Sequence, residues 1–184
     1  MRAVRLRVVA LLLCSCVAAS CSKEIKTIPT PSGSVEVSKE PAEAVPQKFA
    51  SLSEAELTRV KADAVRAREF LAAYAPGTAG SLADFDKAFQ AWQHDGNRRF
   101  SSADVVVVLG SYIGERLVSD LDMEWVVVTD QYGRDLAVRS KQVEVVSFPF
   151  ASVAKRIESG QYGFVEGIYY AVQDAIKNGS YKTR

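Results

Sequence analysis

Two rhythms of apolar and polar residues run along this chain, and the change from one to the other predicts its elements. The strand rhythm is clearest at 124–139. Residues 125–129 are a β-branched and aromatic run, Asp130, Gln131, Tyr132 and Gly133 supply turn chemistry, and a second apolar run follows at 136–138. Such a pair of runs predicts a β-hairpin, with Gly133 suited to a positive φ. Residues 143–148 alternate weakly and predict a third strand. Helical spacing lies on either side. Leu57, Val60, Ala64, Ala67, Leu71 and Tyr74 form one stripe. Ser53 is its N-cap, Glu56 its capping-box partner, and Pro76-Gly77 its stop. Ser81 opens a second helix with Leu82, Phe85, Phe89 and Trp92 on one side. Ser101 or Ser102 opens a third, in which Leu109, Ile113 and Leu117 keep helical spacing, and Gly110 and Gly114 share a face that permits close backbone packing. After the strands, Pro149 suits the first turn of a helix over about 149–159, with Gly160 as its stop. A last helix over about 162–178 carries Val165, Ile168, Tyr169, Val172 and Ile176 on one stripe. The order is three helices, three strands, two helices. That segregation predicts an α+β fold: a three-stranded antiparallel sheet at about 124–148, covered on one face and packed with about five helices.

The N-terminal 48 residues have neither rhythm. Arg2, Arg5 and Arg7 precede a short apolar run at 8–13 and then small residues. This is the pattern of a secretory signal over 1–20, too short for a spanning helix. Val17-Ala18-Ala19-Ser20-Cys21 resembles the lipobox of bacterial lipoproteins. The resemblance implies that Cys21 receives a diacylglycerol and becomes the mature N-terminus, anchored by acyl chains. Leu13-Cys14-Ser15-Cys16 is a competing match with a shorter apolar run, and Cys21 is the favoured site. Ser22 replaces the Asp that would retain an enterobacterial lipoprotein in the inner membrane, which implies the outer membrane, with the domain facing the periplasm. Residues 21–48 hold four of the six prolines and read as a flexible tether, with a single globular domain over 49–184.

Charge and cysteine content narrow the chemistry. The 23 basic and 22 acidic residues give +1, and loss of the three leader arginines leaves a charge of −2. No basic stripe interleaves with aromatics, which argues against nucleic-acid binding. All three cysteines, Cys14, Cys16 and Cys21, lie in the first 21 residues. The body therefore has no disulfide, cysteine nucleophile or thiolate metal site. His94, the single histidine, falls at a helix C-terminus, where a cation is favoured. There is no Walker loop, dinucleotide fingerprint, zinc motif or nucleophile elbow, and no cofactor is implied.

The stretches LGSYIGERLV (109–118), WVVVTDQYGRDLAVR (125–139) and FPFASVAKRIESG (148–160) resemble an uncharacterised bacterial domain of unknown function. Its marks are a Gly-Glu helix, a Trp-initiated strand, a Tyr-Gly hairpin, and a Phe-Pro segment leading into a Lys-Arg helix. The resemblance covers roughly 100–176 and implies an α+β domain without implying a reaction. Among its charged residues, Glu115, Asp130, Asp135, Lys155 and Arg156 have two readings. Glu115 and Asp135 could be acid–base carboxylates of a periplasmic hydrolase or transferase if they converged. Otherwise Glu115 or Asp135 pairs with Lys155 or Arg156 and ties helix to hairpin, which is the expectation favoured here. Trp125 is expected as a core anchor. Tyr132 at the hairpin tip, with Arg134 beside it, is expected as an exposed recognition surface. The functional expectation is thus a lipid-anchored domain that binds another envelope component, a protein, without catalysis. An immunity or inhibitor protein is one form of it. The alternatives are the hydrolase or transferase, and a small-ligand carrier with an apolar cavity between sheet and helices.

Overall fold

Helix α3 (Ser102–Leu121) is the element that the others surround in the computed structural model, which describes residues 24–39 and 46–178. Its Val105, Val108, Leu109, Ile113 and Leu117 are fully buried. It packs against α1 (Glu54–Tyr74) and α4 (Pro149–Ser159), and also against α5 (Val165–Asn178) and the sheet. Helix α2 (Leu82–His94) bridges α1 and α5. A helix that meets neighbours on most of its circumference must be apolar nearly all round. The unbroken run VVVVLG at 105–110 meets that demand.

The first three helices start with the same device. Ser53, Ser81 and Ser101 each accept from the amide three residues on, and Glu56, Asp84 and Asp104 return a bond to the cap amide. Each reciprocal cap contributes about 1 kcal/mol and fixes where its helix begins. Helix α4 starts at Pro149 as expected but has no side-chain cap, and it ends on Gly160 in the left-handed region. Helix α5 starts at Val165, later than the periodicity predicts. There the carboxylate of Asp86, on α2, accepts from the Val165 and Glu166 amides at 2.8 and 3.0 Å.

The α+β class is as expected, but the sheet has four strands, not three. Strands β3 (Lys48–Ser51), β4 (Met123–Asp130), β5 (Gly133–Ser140) and β6 (Val146–Ser147) lie in that order, every neighbouring pair antiparallel. The β4–β5 hairpin pairs Trp125 with Val138 and Asp130 with Gly133, whose φ is +128°. Strand β6 is only two residues long, shorter than the weak alternation at 143–148 predicts. The expected covering of one face alone also needs correction. Trp125 and Val138 join the main core, while Val126, Val128 and Ala137 form a second cluster with Val146 and Phe148. A strand buried on both faces reads as a continuous apolar run, as 125–128 does.

The expected flexible tether also contains structure. Strands β1 (Glu24–Thr30) and β2 (Gly33–Lys39) form a separate antiparallel hairpin that packs on α5. Ile28 is buried, Lys26 pairs with Asp174, and Thr30 Oγ1 donates to Glu166 at 3.3 Å. The signal segment and Cys21 lie outside the described residues.

Candidate functional site

The residues that carry the resemblance meet around Trp125. Gly110 and Gly114 lie on one face of α3. A Cβ on Gly110 would come within 2.5 Å of the Phe150 ring, and one on Gly114 within 2.1 Å of the Trp125 ring. The absent side chains let strand β4 and helix α4 settle against the backbone of α3. Trp125 is 7% exposed, its ring lies 5.8 Å from that of Phe150, and its Nε1 donates to Glu115 Oε1 at 2.7 Å. Glu115 therefore satisfies a buried indole N–H that would otherwise lack a partner. Trp125 is the expected core anchor. The expected ion pairs do not form: among the described residues, none joins Glu115 or Asp135 to Lys155 or Arg156. A tryptophan carries no charge, so reasoning from charge complementarity passed over the true partner.

The structure does not bring Glu115 and Asp135 together. Glu115 lies with Trp125 on the helix side of the sheet. Asp135 pairs with Val128, and its side chain alternates with those of Leu136 and Val138, so it leaves the other face. It is also three residues, roughly 10 Å along the strand, from the Trp125–Val138 pair. Lys155 is exposed on α4. Arg156 borders a broad depression of about 720 Å³, formed by the α4–α5 connection, α5 and Glu36 of β2. His94 ends α2 and donates through Nδ1 to the Gln90 carbonyl at 2.8 Å, a local role. No group of three or more His, Cys, Asp or Glu among the described residues is arranged to hold a metal.

The hairpin tip is built for rigidity and exposure together. Asp130 Oδ1 accepts from the Tyr132 amide at 2.8 Å, closing the turn. Tyr132 is 82% exposed. Arg134 reaches back to Glu56, the capping residue of α1. The Ser53 hydroxyl and amide, and then Arg134, hold the Glu56 carboxyl down from its ordinary 4.5 to about 2. Arg134 is thus a brace as well as a surface group.

Beside that brace is a cleft of about 410 Å³ between α1, α3, β5 and the start of α4. Its apolar walls include Val60, Val107, Leu136, Phe148 and Phe150. Its charged border comprises Glu56, Arg59, Asp63, Arg134 and Asp135. Ser111 lines it as well, 1% exposed, and its hydroxyl has no hydrogen-bond partner among the described residues. Nothing in the sequence analysis singled out Ser111. Its signal was a hydroxyl inside the most apolar helix of the chain.

Set beside known proteins, the chain matches no curated protein. A crystal structure of a protein from Bacteroides thetaiotaomicron VPI-5482, at 1.50 Å resolution, has a similar fold, with a TM-score of 0.53 and 12% identity. The similarity covers 78% of this chain and 52% of that one, so this chain spans about half the length of that protein. At such identity the likeness concerns fold alone. The sequence match is narrower and runs from within α2 to within α5, across Gly110, Gly114, Glu115, Trp125 and Phe150: residues 87–169 match the family model DUF3806, a domain of unknown function.

Proposed function

We propose that this protein is a lipid-anchored component of the bacterial envelope whose α+β domain recognises another envelope protein without catalysis, in one form as an inhibitor or immunity protein. The observation that carries the reading is Tyr132, a large aromatic standing 82% exposed on a turn closed by Asp130 and braced through Arg134. Rigid exposed aromatics supply contact area at small entropic cost. Acylation at Cys21 and residence in the outer membrane, facing the periplasm, belong to the same proposal and rest on the leader motif. Among the described residues no helix is long and apolar enough to cross a membrane.

The β1–β2 hairpin changes what such an anchor would do. A free spacer of about 26 residues would carry the domain on the order of 30 Å from the membrane. With β1 starting at Glu24 and packed on α5, two residues separate Cys21 from docked structure. They span at most about 7 Å. The α5 side would then lie at the headgroups, leaving the partner to approach a domain of restricted orientation. Cys21→Ser tests the anchor: the protein is expected to leave the membrane fraction, and continued pelleting would sink that part of the proposal.

A photocrosslinking residue at position 132 tests recognition in intact cells. One crosslinked envelope protein is expected. Its binding should weaken at least tenfold in Tyr132→Ala, with the melting temperature within about 2 °C, as for an exposed substitution. Unchanged binding by Tyr132→Ala would remove the tip from the interface. The hydrolase or transferase alternative has less support, because Glu115, on α3, lies on the helix side of the sheet while the Asp135 side chain leaves the other face.

A further inference from the structure

We infer that the depression bordered by the α4–α5 connection, α5 and β2 binds a short zwitterionic peptide, with its carboxylate at Arg156 and its ammonium at Glu36. The depression holds about 720 Å³, within the range of small-ligand sites, and charges of both signs border it. Arg156 lies near the end of α4, and Glu36 stands exposed on β2. Among the described residues neither forms an ion pair, with the other or with a third group. Two opposite charges that share a depression without meeting leave room for a ligand that carries the complementary pair. A guanidinium holds a carboxylate through two parallel hydrogen bonds, and a carboxylate accepts from an ammonium.

The rest of the lining suits a peptide with small side chains. Gly167, Ile168 and Ala171 of α5 offer a small apolar surface, and Tyr162 adds an aromatic ring that is 53% exposed. In the connection, Gly160 and Gly163 have φ of +66° and +75°, and a Cβ on either would meet nothing within 4 Å. Among the described residues no backbone hydrogen bond outside the helices involves residues 161–163, and peptide groups of that kind can pair with another chain. Gln93 Nε2 donates to the Arg156 carbonyl at 3.4 Å and so ties the turn that carries the guanidinium to α2. A single amino acid bears both charges on one carbon and would leave Arg156 or Glu36 unmatched. A tripeptide separates them by up to roughly 10 Å. Tyr132 is no part of this site, so the tip and the depression can fail separately.

The test is a titration of the ¹⁵N-labelled full chain with trialanine, alongside its C-terminal amide and its N-acetyl form, followed by amide chemical shifts. Trialanine should shift the Gln161, Gly163 and Gly167 amides saturably, and each blocked peptide should bind about tenfold more weakly, the factor expected of one charge-assisted hydrogen bond. Arg156→Gln should weaken trialanine by a similar factor and bind the amide as the parent does, because the carboxylate has lost its partner. Glu36→Gln should behave in the same way towards the N-acetyl form. Both variants should melt within about 2 °C of the parent, as for exposed substitutions. Absence of saturable shifts at those three amides, or parity of the blocked peptides with trialanine, would overturn the proposal. So would an Arg156→Gln or Glu36→Gln variant that still distinguishes trialanine from the peptide blocked at the matching end.

Discussion

Gly114 has the least room for a side chain of the glycines in the motif. Alanine there gains helix propensity of about 1 kcal/mol but drives a methyl into the Trp125 ring. That ring is buried and held by Glu115, so it cannot yield easily. Overpacking wins, and Gly114→Ala should lose about 2 kcal/mol net. Gly96→Ala, where a Cβ meets nothing within 4 Å, should stay within about 0.5 kcal/mol of the parent; urea unfolding of both separates packing from a general intolerance of glycine replacement. Glu115 offers a second contrast. Glu115→Gln retains an acceptor for Trp125 Nε1, whereas Glu115→Ala strands a buried N–H at a cost of about 1–3 kcal/mol. Equal losses in the two variants would show that the hydrogen bond is not what Glu115 supplies. The spacing of Gly110 and Gly114 was legible because helix geometry puts positions four apart on one face. Their partners were not, because Trp125 and Phe150 arrive from a strand and a helix later in the chain.

The elements that sequence reading missed are the ones stabilised mainly by their neighbours. Strand β3 is four residues, KFAS, with one large apolar side chain. It exists because β4 offers an edge and because Phe49 lies 4.6 Å under the Arg139 guanidinium. The β1–β2 hairpin is similar. A two-stranded hairpin is marginal alone, and this one lies in a Pro-, Ser- and Thr-rich stretch whose composition argues for a spacer. Docking on α5 supplies the missing stability, with Ile28 as the buried contact. Ile28→Ala should therefore cost about 2 kcal/mol, felt as release of the hairpin and not as global unfolding. Hydrogen exchange is the measurement. Amides of β1 and β2 should exchange about 30-fold faster while those of α3 are unaffected. Matching acceleration in α3 would show that the hairpin belongs to the main cooperative unit.

At the scale of the whole molecule, the helix caps couple stability to acid. Glu56 is lowered to about 2 by Ser53 and Arg134. Asp84 and Asp104 are lowered by Ser81 and Ser101, and Asp122 by Lys141. A carboxylate with a depressed folded value stabilises above its ordinary value and loses that contribution as pH falls through the folded one. Asp86 opposes them. Burial and then nearby Glu166 raise it against the lowering effect of its amide donors, so its penalty is relieved on acidification. With four groups against one, unfolding free energy should fall as pH drops from about 4.5 to about 2. Glu56→Gln should flatten that fall, as urea titrations at pH 6, 4 and 3 would show; a parent profile flat to pH 3 would contradict the assignment of the caps. Local sequence alone determined the five helices, the serine caps of the first three, the central hairpin and the α+β class, because periodicity and capping act over a few residues. Tertiary structure decided the rest: the position of α3 at the centre, the two added strands of the tether, the Glu115–Trp125 bond, and the cleft at Ser111. Each of these joins residues distant in the chain, by contacts in which at least one side chain carries no charge or by backbone pairing to an edge, and neither leaves a periodic mark in the sequence.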